Sequence, residues 1–143
     1  MDVFENFENQ LKANPKTIVF TEGTDARILS AASKLLAGKI LNVLLLGNPE
    51  AVKKAAAEGG FDITGAEICD PTSYPEFDAM VAKMVELRKG KMTEEQCRAA
   101  LSKSNYFGTM LVKMGKADCL LGGATYSTAD TVRPALQLIK CKP

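Results

Sequence analysis

Residues 40–46 read ILNVLLL, a nearly continuous aliphatic run with one polar position. A strand with one face in water alternates apolar and polar residues, whereas a strand inside a parallel sheet is covered on both faces and is apolar almost throughout. The run therefore predicts a buried strand of a parallel sheet. Short apolar runs at residues 17–20 (TIVF) and 118–121 (DCLL) predict two further strands, and residues 66–69 (AEIC) predict a weak one.

Helical patterns separate these runs. Apolar residues at helical spacing predict helices over residues 2–13, 25–37 and 105–115. Asn48-Pro49 is typical of a helix start, and residues 73–76 (SYPE) and 93–96 (TEEQ) match the capping box that opens a helix. The alternation predicts the α/β class, with a parallel sheet flanked by helices in a single domain over residues 1–143.

The composition argues against several classes of function. A net charge of +1 gives no polybasic footprint for nucleic acid, and the longest apolar run is too short to span a bilayer. The absence of histidine removes Ser–His and Cys–His pairs and histidine metal ligands. We therefore expect no metal, nucleic-acid or membrane partner, and a cytoplasmic location. The sequence contains no GxGxxG motif, so nothing in it indicates a dinucleotide-binding site.

The four cysteines form no CxxC pair, and we expect them to be buried free thiols. They are Cys69, Cys97, Cys119 and Cys141.

One segment that follows a predicted strand favours an anion. In open parallel sheets, ligands bind outside the carboxyl ends of the strands, where residues 21–25, 47–49 and 122–128 lie. Residues 122–128 (GGATYST) combine two glycines, which allow close approach of a ligand, with three hydroxyl side chains near a helix start. Arg133 follows and can form a bidentate contact with phosphate. The segment therefore predicts a phosphate or carboxylate site.

Pro134 bears on where the last helix begins. A helix that starts at Ser127 contains Pro134 in its interior, where proline removes a hydrogen bond and forces a kink. A helix that starts near Asp130 or Thr131 has the proline in or next to its first turn, where it is tolerated. We therefore expect residues 122–129 to form a loop, and Arg133 to lie at the anion-attracting end of the helix.

Each candidate residue also has a purely structural explanation. Residues 127–130 match a capping box, which by itself accounts for both ends of the motif. Arg133 is also typical of a solvated surface. Arg88, near a helix C-terminus, favours the negative end of the helix dipole. Asp25 and Arg27 are typical of a helix cap and a surface charge, and the Tyr106-Phe107 pair is typical of core packing.

Several long segments, in the same order, resemble the phosphate acetyltransferase family. The resemblance covers the whole chain and well under half of a typical family chain. This sequence departs from the family at Tyr126 and Lys113, where histidine is frequent, and at Cys119, where glycine is common. The matching segments are residues 105–112 (NYFGTMLV), 114–118 (MGKAD), 127–136 (STADTVRPAL), 86–89 (ELRK) and the early Glu22-Gly23 with Asp25 and Arg27.

The resemblance implies a two-domain enzyme with a fold related to isocitrate and isopropylmalate dehydrogenases, of which this chain is the first domain, incomplete. It implies a homodimer at full length, with the active site in the cleft between the domains. The reaction moves an acetyl group between CoA and phosphate, and a carboxylate helps to deprotonate the thiol. The partners are the small molecules CoA, acetyl-CoA, phosphate and acetyl phosphate. No cofactor is implied, because CoA is a substrate.

The resemblance also implies roles for individual residues. Arg133 binds the phosphoryl group or the CoA phosphates, and Arg88 is a second arginine of the cleft. The hydroxyl side chains of Ser127, Thr128 and Thr131 line the phosphate end. Arginine forks and hydroxyl groups match the oxygens of an acyl phosphate dianion.

The family's catalytic Ser, Arg and Asp have no counterpart in these 143 residues. We therefore expect a truncated chain that is inactive, or nearly so, by itself, with its catalytic residues unknown. Two other functions stay open: a phosphate butyryltransferase, and a phosphate- or CoA-binding module without catalysis. A plain structural α/β domain is a third possibility.

Overall fold

A computed structural model describes residues 2–140 of the chain. The sheet has four strands in the order β3-β2-β1-β4, and all three pairings are parallel. Ile18 pairs with Val43 on one side and with Cys119 on the other. The strands are β1 (Thr17–Phe20), β2 (Asn42–Leu46), β3 (Glu67–Cys69) and β4 (Cys119–Leu121). The α/β class and the parallel sheet are confirmed.

The described residues form seven α-helices, together with a 3₁₀ turn at Pro71–Ser73, and all but α1 contribute buried residues. The connection between each pair of neighbouring strands contains at least one helix, as parallel pairing requires. The helices are α1 (Val3–Ala13), α2 (Ala26–Ala37), α3 (Pro49–Gly59), α4 (Phe77–Arg88), α5 (Glu94–Leu101), α6 (Ser104–Lys113) and α7 (Thr128–Leu138). None of them combines the length and apolar character that a membrane crossing needs.

The two central strands are buried on both faces, as the apolar run predicts. Alternate residues of β1 and β2 point into two separate clusters, because successive side chains of a strand face opposite sides. Val19 and Leu44 pack with α4, α5 and α6 on one face. Phe20 and Leu45 pack with α2 and α3 on the other. Burial of each large side chain contributes about 1.5–3 kcal/mol to folding.

Two local predictions differ from the structure. The strand predicted at residues 40–46 begins at Asn42, because Ile40 still donates its amide to Leu35 O at 3.1 Å and completes the end of α2. The capping box at residues 73–76 does not form. Ser73 lies in the 3₁₀ turn, which Asp70 caps through Thr72 N at 2.8 Å. The capping box of Thr93 and Gln96 is confirmed in both directions.

The expectation of buried cysteines holds for only one of the three cysteines that the structure describes. Cys97 is buried, Cys69 is half-buried and Cys119 is exposed at the edge strand, where it is free. Burial raises the pKa of Cys69 to about 11, with a contribution from Glu67, and burial also raises the pKa of Cys97. These thiols are therefore protonated and unreactive at neutral pH. Cys141 lies outside the described residues.

Candidate functional site

Two adjoining grooves lie at the carboxyl edge of the sheet. The arginine groove has a volume of about 680 Å³ and runs between the end of α5, the start of α6 and the start of α7; Arg133, Lys103 and Tyr106 line it. The β1 groove, of about 450 Å³, lies at the ends of β1 and β2. Ser104 and Tyr126 line both grooves, so the two form one depression along this edge. Ligands of open parallel sheets bind at this edge.

The arginine groove carries positive charge. Arg133 is exposed, and it makes no hydrogen bond or salt bridge with any residue that the structure describes, so its guanidinium is available to a ligand. Lys103, which also lines the groove, adds a second positive charge. The one carboxylate that lines the groove, Asp130, accepts a hydrogen bond from Ser127 Oγ at 2.8 Å. The N-terminal ends of α6 and α7 both border the groove, and their dipoles add partial positive charge.

The start of α7 differs from the prediction. The helix begins at Thr128 with Ser127 as its N-cap, and Pro134 lies inside it. Proline has no amide to offer the carbonyl four residues earlier, which belongs to Asp130. The side chain of Asn105 replaces that amide, because its Nδ2 donates to Asp130 O at 2.9 Å. A contact from α6 thus satisfies the carbonyl that an interior proline leaves unpaired, so the helix can begin before residue 130.

The predicted site residues of α7 have structural contacts in this conformation. Ser127 Oγ accepts a hydrogen bond from the amide of Asp130 at 3.1 Å, as the capping motif indicates. Thr131 Oγ1 donates to Ser127 O at 3.1 Å. Thr128 is the first residue of the helix and is exposed. Their role toward a ligand stays a prediction.

Arg88 lies elsewhere, and the structure does not bring it together with Arg133 in one groove. It is the last residue of α4, is half-buried and does not line the arginine groove. Its Nη1 is 3.4 Å from Gln137 O near the C-terminal end of α7, and its Nε is buried without a partner among the described residues. Arg88 therefore joins α4 to the far end of the helix whose first half carries Arg133.

An internal anion, the carboxylate of Glu22, occupies the amides of the loop after β4, so they are not free for an external one. Glu22 Oε1 accepts hydrogen bonds from Gly123 N at 2.7 Å and Ala124 N at 3.0 Å. Glu22 Oε2 accepts from the amide and the hydroxyl of Thr125. Burial by itself would raise the pKa of Glu22. The hydrogen bonds from Thr125, Gly123 and Ala124 outweigh it and lower the pKa, so the side chain is a carboxylate.

The two glycines of this loop have structural reasons of their own, close packing at Gly122 and a positive φ at Gly123. A Cβ at Gly122 would lie 2.3 Å from Thr21 Oγ1, a distance that no packed side chain tolerates. Gly123 has a φ of 102°, which disfavours any other residue. The loop therefore lies directly against the end of β1. Sequence reasoning missed Glu22 as the partner of these amides, although an acidic residue directly after a buried strand is the signal that could have found it.

Asp25 and Arg27 also contact this loop. Asp25 caps α2 through the amide of Arg27 at 2.9 Å, as the cap interpretation expected. The Arg27 side chain, however, is not a free surface charge. It forms a salt bridge with Asp25 at 2.9 Å and donates to Ala124 O at 2.7 Å. The guanidinium lowers the pKa of Asp25 to about 2.

A metal centre has no support in the described part of the chain, where no cluster of three or more potential ligands occurs. The β1 groove contains hydroxyl groups and the engaged carboxylates Glu22 and Asp25, whereas the arginine groove contains the cationic side chains of Arg133 and Lys103. A polyanion therefore fits the arginine groove, and a neutral polar group fits the β1 groove.

Comparisons with known proteins agree with the sequence resemblance. The family model described as phosphate acetyl/butaryl transferase matches residues 2–143. The phosphate acetyltransferase of Bacillus subtilis (strain 168) is 49% identical over 141 residues, which make up 99% of this chain and 44% of that protein. That of Staphylococcus aureus (strain MRSA252) is 44% identical over 99% of this chain and 43% of its own length. The chain thus spans less than half the length of these curated relatives.

Solved structures give the same result for the backbone. The EutD phosphotransacetylase from Staphylococcus aureus has a TM-score of 0.90 and 44% identity, over 97% of this chain and 42% of that chain. A phosphotransacetylase from Streptococcus pyogenes has a TM-score of 0.93 and 43% identity, over 100% of this chain and 44% of that chain. Sequence and backbone agree along the same length, and the chain belongs to the phosphate acetyl/butaryl transferase family.

Proposed function

We propose that the polypeptide containing this chain transfers an acetyl group reversibly between CoA and phosphate. Relatives named phosphate acetyltransferase align with 99% of the chain at up to 49% identity. The chain covers only 44% of such a relative, so the activity belongs to the whole protein. The proposal includes a first domain of the isocitrate and isopropylmalate dehydrogenase type, a homodimer, a cytoplasmic location and no cofactor besides the substrate CoA.

The arginine groove is the observation that carries this proposal. Acetyl phosphate and CoA are both polyanions, and the groove offers the unengaged guanidinium of Arg133, the ammonium group of Lys103 and two helix N-termini. An arginine fork binds two oxygens of one phosphate, and hydrogen bonds to a charged partner are about twice as strong as neutral ones. We assign the phosphates of the substrates to this groove, with Ser127, Thr128 and Thr131 at the phosphate end.

Arg88 has a different part in the proposal. The contact with Gln137 O favours a role in holding α7, through which Arg88 would influence the position of Arg133. Its Nε is buried, so only the outer nitrogens of the guanidinium can face a phosphate at the far end of the helix. Both roles support anion binding on α7.

The proton transfer from the CoA thiol needs a base, and we assign it to residues outside those described. Glu22, Asp25 and Asp130 are the carboxylates that line the two grooves. Glu22 and Asp25 each accept several hydrogen bonds from protein groups, which disfavour protonation. Asp130 accepts a hydrogen bond from Ser127 Oγ at the start of α7. The described residues therefore bind and orient the substrates, and we expect the 143-residue chain alone to be inactive or nearly so.

The experiment measures acetyl-CoA formation from acetyl phosphate and CoA by the longest natural polypeptide that contains residues 1–143, and by residues 1–143 alone. Arg133→Ala should raise the KM for an anionic substrate about 10–100-fold, from the loss of charge-assisted hydrogen bonds. Arg98→Ala is the matched control, because that arginine pairs with Asp78 at 2.8 Å and does not line the groove. Full activity of residues 1–143 alone would contradict the assignment of the base.

Butyryl transfer is the second candidate, because the description of the matching family includes both acyl groups. Comparing kcat/KM for acetyl phosphate with that for butyryl phosphate decides between them. A hydrophobic acyl pocket distinguishes each methylene by about 1–3 kcal/mol, so the preferred substrate should be clear. CoA binding without turnover of either substrate would favour the non-catalytic module instead.

A further inference from the structure

The Glu22 carboxylate lies between the end of β1 and the loop 122–126. It accepts four hydrogen bonds from that loop: the amides of Gly123 and Ala124 at one oxygen, and the amide and hydroxyl of Thr125 at the other. Only 8% of the residue is exposed. One ionised side chain thus satisfies three successive amides of a segment that belongs to no helix or strand.

The same loop is also held through a carbonyl. Arg27 Nη2 donates to Ala124 O at 2.7 Å, and Asp25 holds the guanidinium at 2.9 Å. Gly122 packs against Thr21 with no room for a side chain. The path of the loop is therefore determined by the segment between β1 and α2, which lies about a hundred residues earlier in the chain.

This loop leads directly into the arginine groove. Tyr126 lines both grooves, Ser127 is the N-cap of α7, and Arg133 follows in the second turn of that helix. The direction in which α7 leaves the loop decides where the guanidinium of Arg133 lies. A shift of about 1 Å in a binding group can reduce a rate a hundredfold.

We propose that Glu22 is a positioning residue for anion binding: by occupying the amides of residues 123–125, it sets the start of α7 and so the position of Arg133 in the arginine groove. The proposal deepens the proposed function and rests on it for the ligand, CoA. It also excludes a substrate phosphate from the loop amides, because the carboxylate already fills them and repels a second anion.

The substitution Glu22→Gln tests this geometry with almost no change in shape. Glutamine keeps one acceptor oxygen, which serves Gly123 and Ala124, and places an NH₂ group toward Thr125. That NH₂ group then faces two donors, the amide and the hydroxyl of Thr125. Donors that face one another stay unsatisfied, so the loop has to move. Thr125→Val is a milder variant, because it removes only the hydroxyl donor and leaves the hydrogen bonds from the three amides to Glu22.

CoA binding is measured by titration calorimetry on the longest natural polypeptide that contains residues 1–143, with thermal unfolding in parallel. We expect the Kd for CoA to rise about 10–100-fold in Glu22→Gln and about 3–10-fold in Thr125→Val. Thr125→Ser keeps the hydroxyl and should have the Kd of the unmodified protein. Glu58→Gln, an exposed carboxylate on α3, is the matched control and should leave the Kd unchanged. Unchanged affinity in both Glu22→Gln and Thr125→Val would overturn the inference.

A double-mutant cycle distinguishes positioning from a general loosening of the fold. If Glu22 acts through Arg133, adding Glu22→Gln to Arg133→Ala raises the Kd little further, whereas independent effects multiply. Multiplying effects would therefore also overturn the inference. A polypeptide that binds CoA in this pattern but transfers no acetyl group contradicts the proposed function alone, and one that binds no CoA contradicts both.

Discussion

The centre of the sheet and its carboxyl edge are held together by different kinds of contact. At the centre, Val19, Phe20 and Leu45 are fully buried in two apolar clusters, where an aliphatic side chain of similar volume would serve nearly as well. At the edge, Glu22 and Arg27 hold one loop through hydrogen bonds that need a particular donor and acceptor. The stability of the fold therefore depends mainly on the centre, and the shape of the grooves depends on the edge.

The largest effect should come from the centre. Leu45→Ala removes a side chain with no exposed area and leaves a cavity between β2 and α2, so we expect a loss of about 2–5 kcal/mol in the free energy of unfolding. Denaturant titration measures it. The matched control is Leu136→Ala on α7, which is 74% exposed and should change stability by less than about 0.5 kcal/mol. Similar losses in the two variants would break the comparison.

A smaller loss is expected from a methyl group at the edge. In Gly122→Ala the new Cβ lies 2.3 Å from Thr21 Oγ1, and we expect a loss of about 1–3 kcal/mol from overpacking. Adding Thr21→Ala should recover part of it, since the Thr21 hydroxyl has no hydrogen-bond partner among the described residues. Denaturant titration of both variants tests this, and a double variant no more stable than Gly122→Ala would contradict the packing explanation.

The smallest effect is the pH dependence at the edge, and it concerns Glu22. The pKa of Glu22 in the folded protein lies below the usual 4.5. The stability that its carboxylate contributes is therefore complete above pH 4.5 and is lost as the pH falls through the pKa of the folded state. The Tm of the unmodified protein should therefore fall more steeply than that of Glu22→Gln as the pH goes from about 5 to about 2. The pKa of Asp25 is also lowered, but Asp25 is present in both proteins, so its effect on the Tm cancels in the comparison. Parallel curves would show that Glu22 contributes nothing as a carboxylate.

Local patterns predicted most of the elements, because a continuous apolar run or a capping residue acts within a few residues. The strand in residues 40–46, the N-cap Asn48 and the capping box at Thr93 are examples. The similar motif at Ser73 failed, since Asp70 competes for the same stretch and forms a 3₁₀ turn instead. A capping motif in the sequence shows that a cap can form, but competing hydrogen bonds from neighbouring residues determine whether it does.

The candidate site was predictable in its location and in one residue. The rule that ligands bind at the carboxyl ends of parallel strands led to residues 122–133, and Arg133 does line a groove there. The predicted start of α7 was wrong, because the donor that compensates for Pro134 is Asn105 on another helix. The acceptor of the loop amides, Glu22, was not predicted, because it follows a strand at the other end of the sequence.

The amino-acid sequence by itself determined the α/β class, the buried central strands and the family to which the chain belongs. These properties depend on hydrophobic periodicity and on residue order, which can be read along the chain. The tertiary structure alone decided where α7 begins, that the Glu22 carboxylate fills the loop amides and that Arg88 lies outside the arginine groove. Each of these depends on a hydrogen bond or a contact between residues distant in sequence, and only the folded chain brings such partners within 3 Å or so of one another.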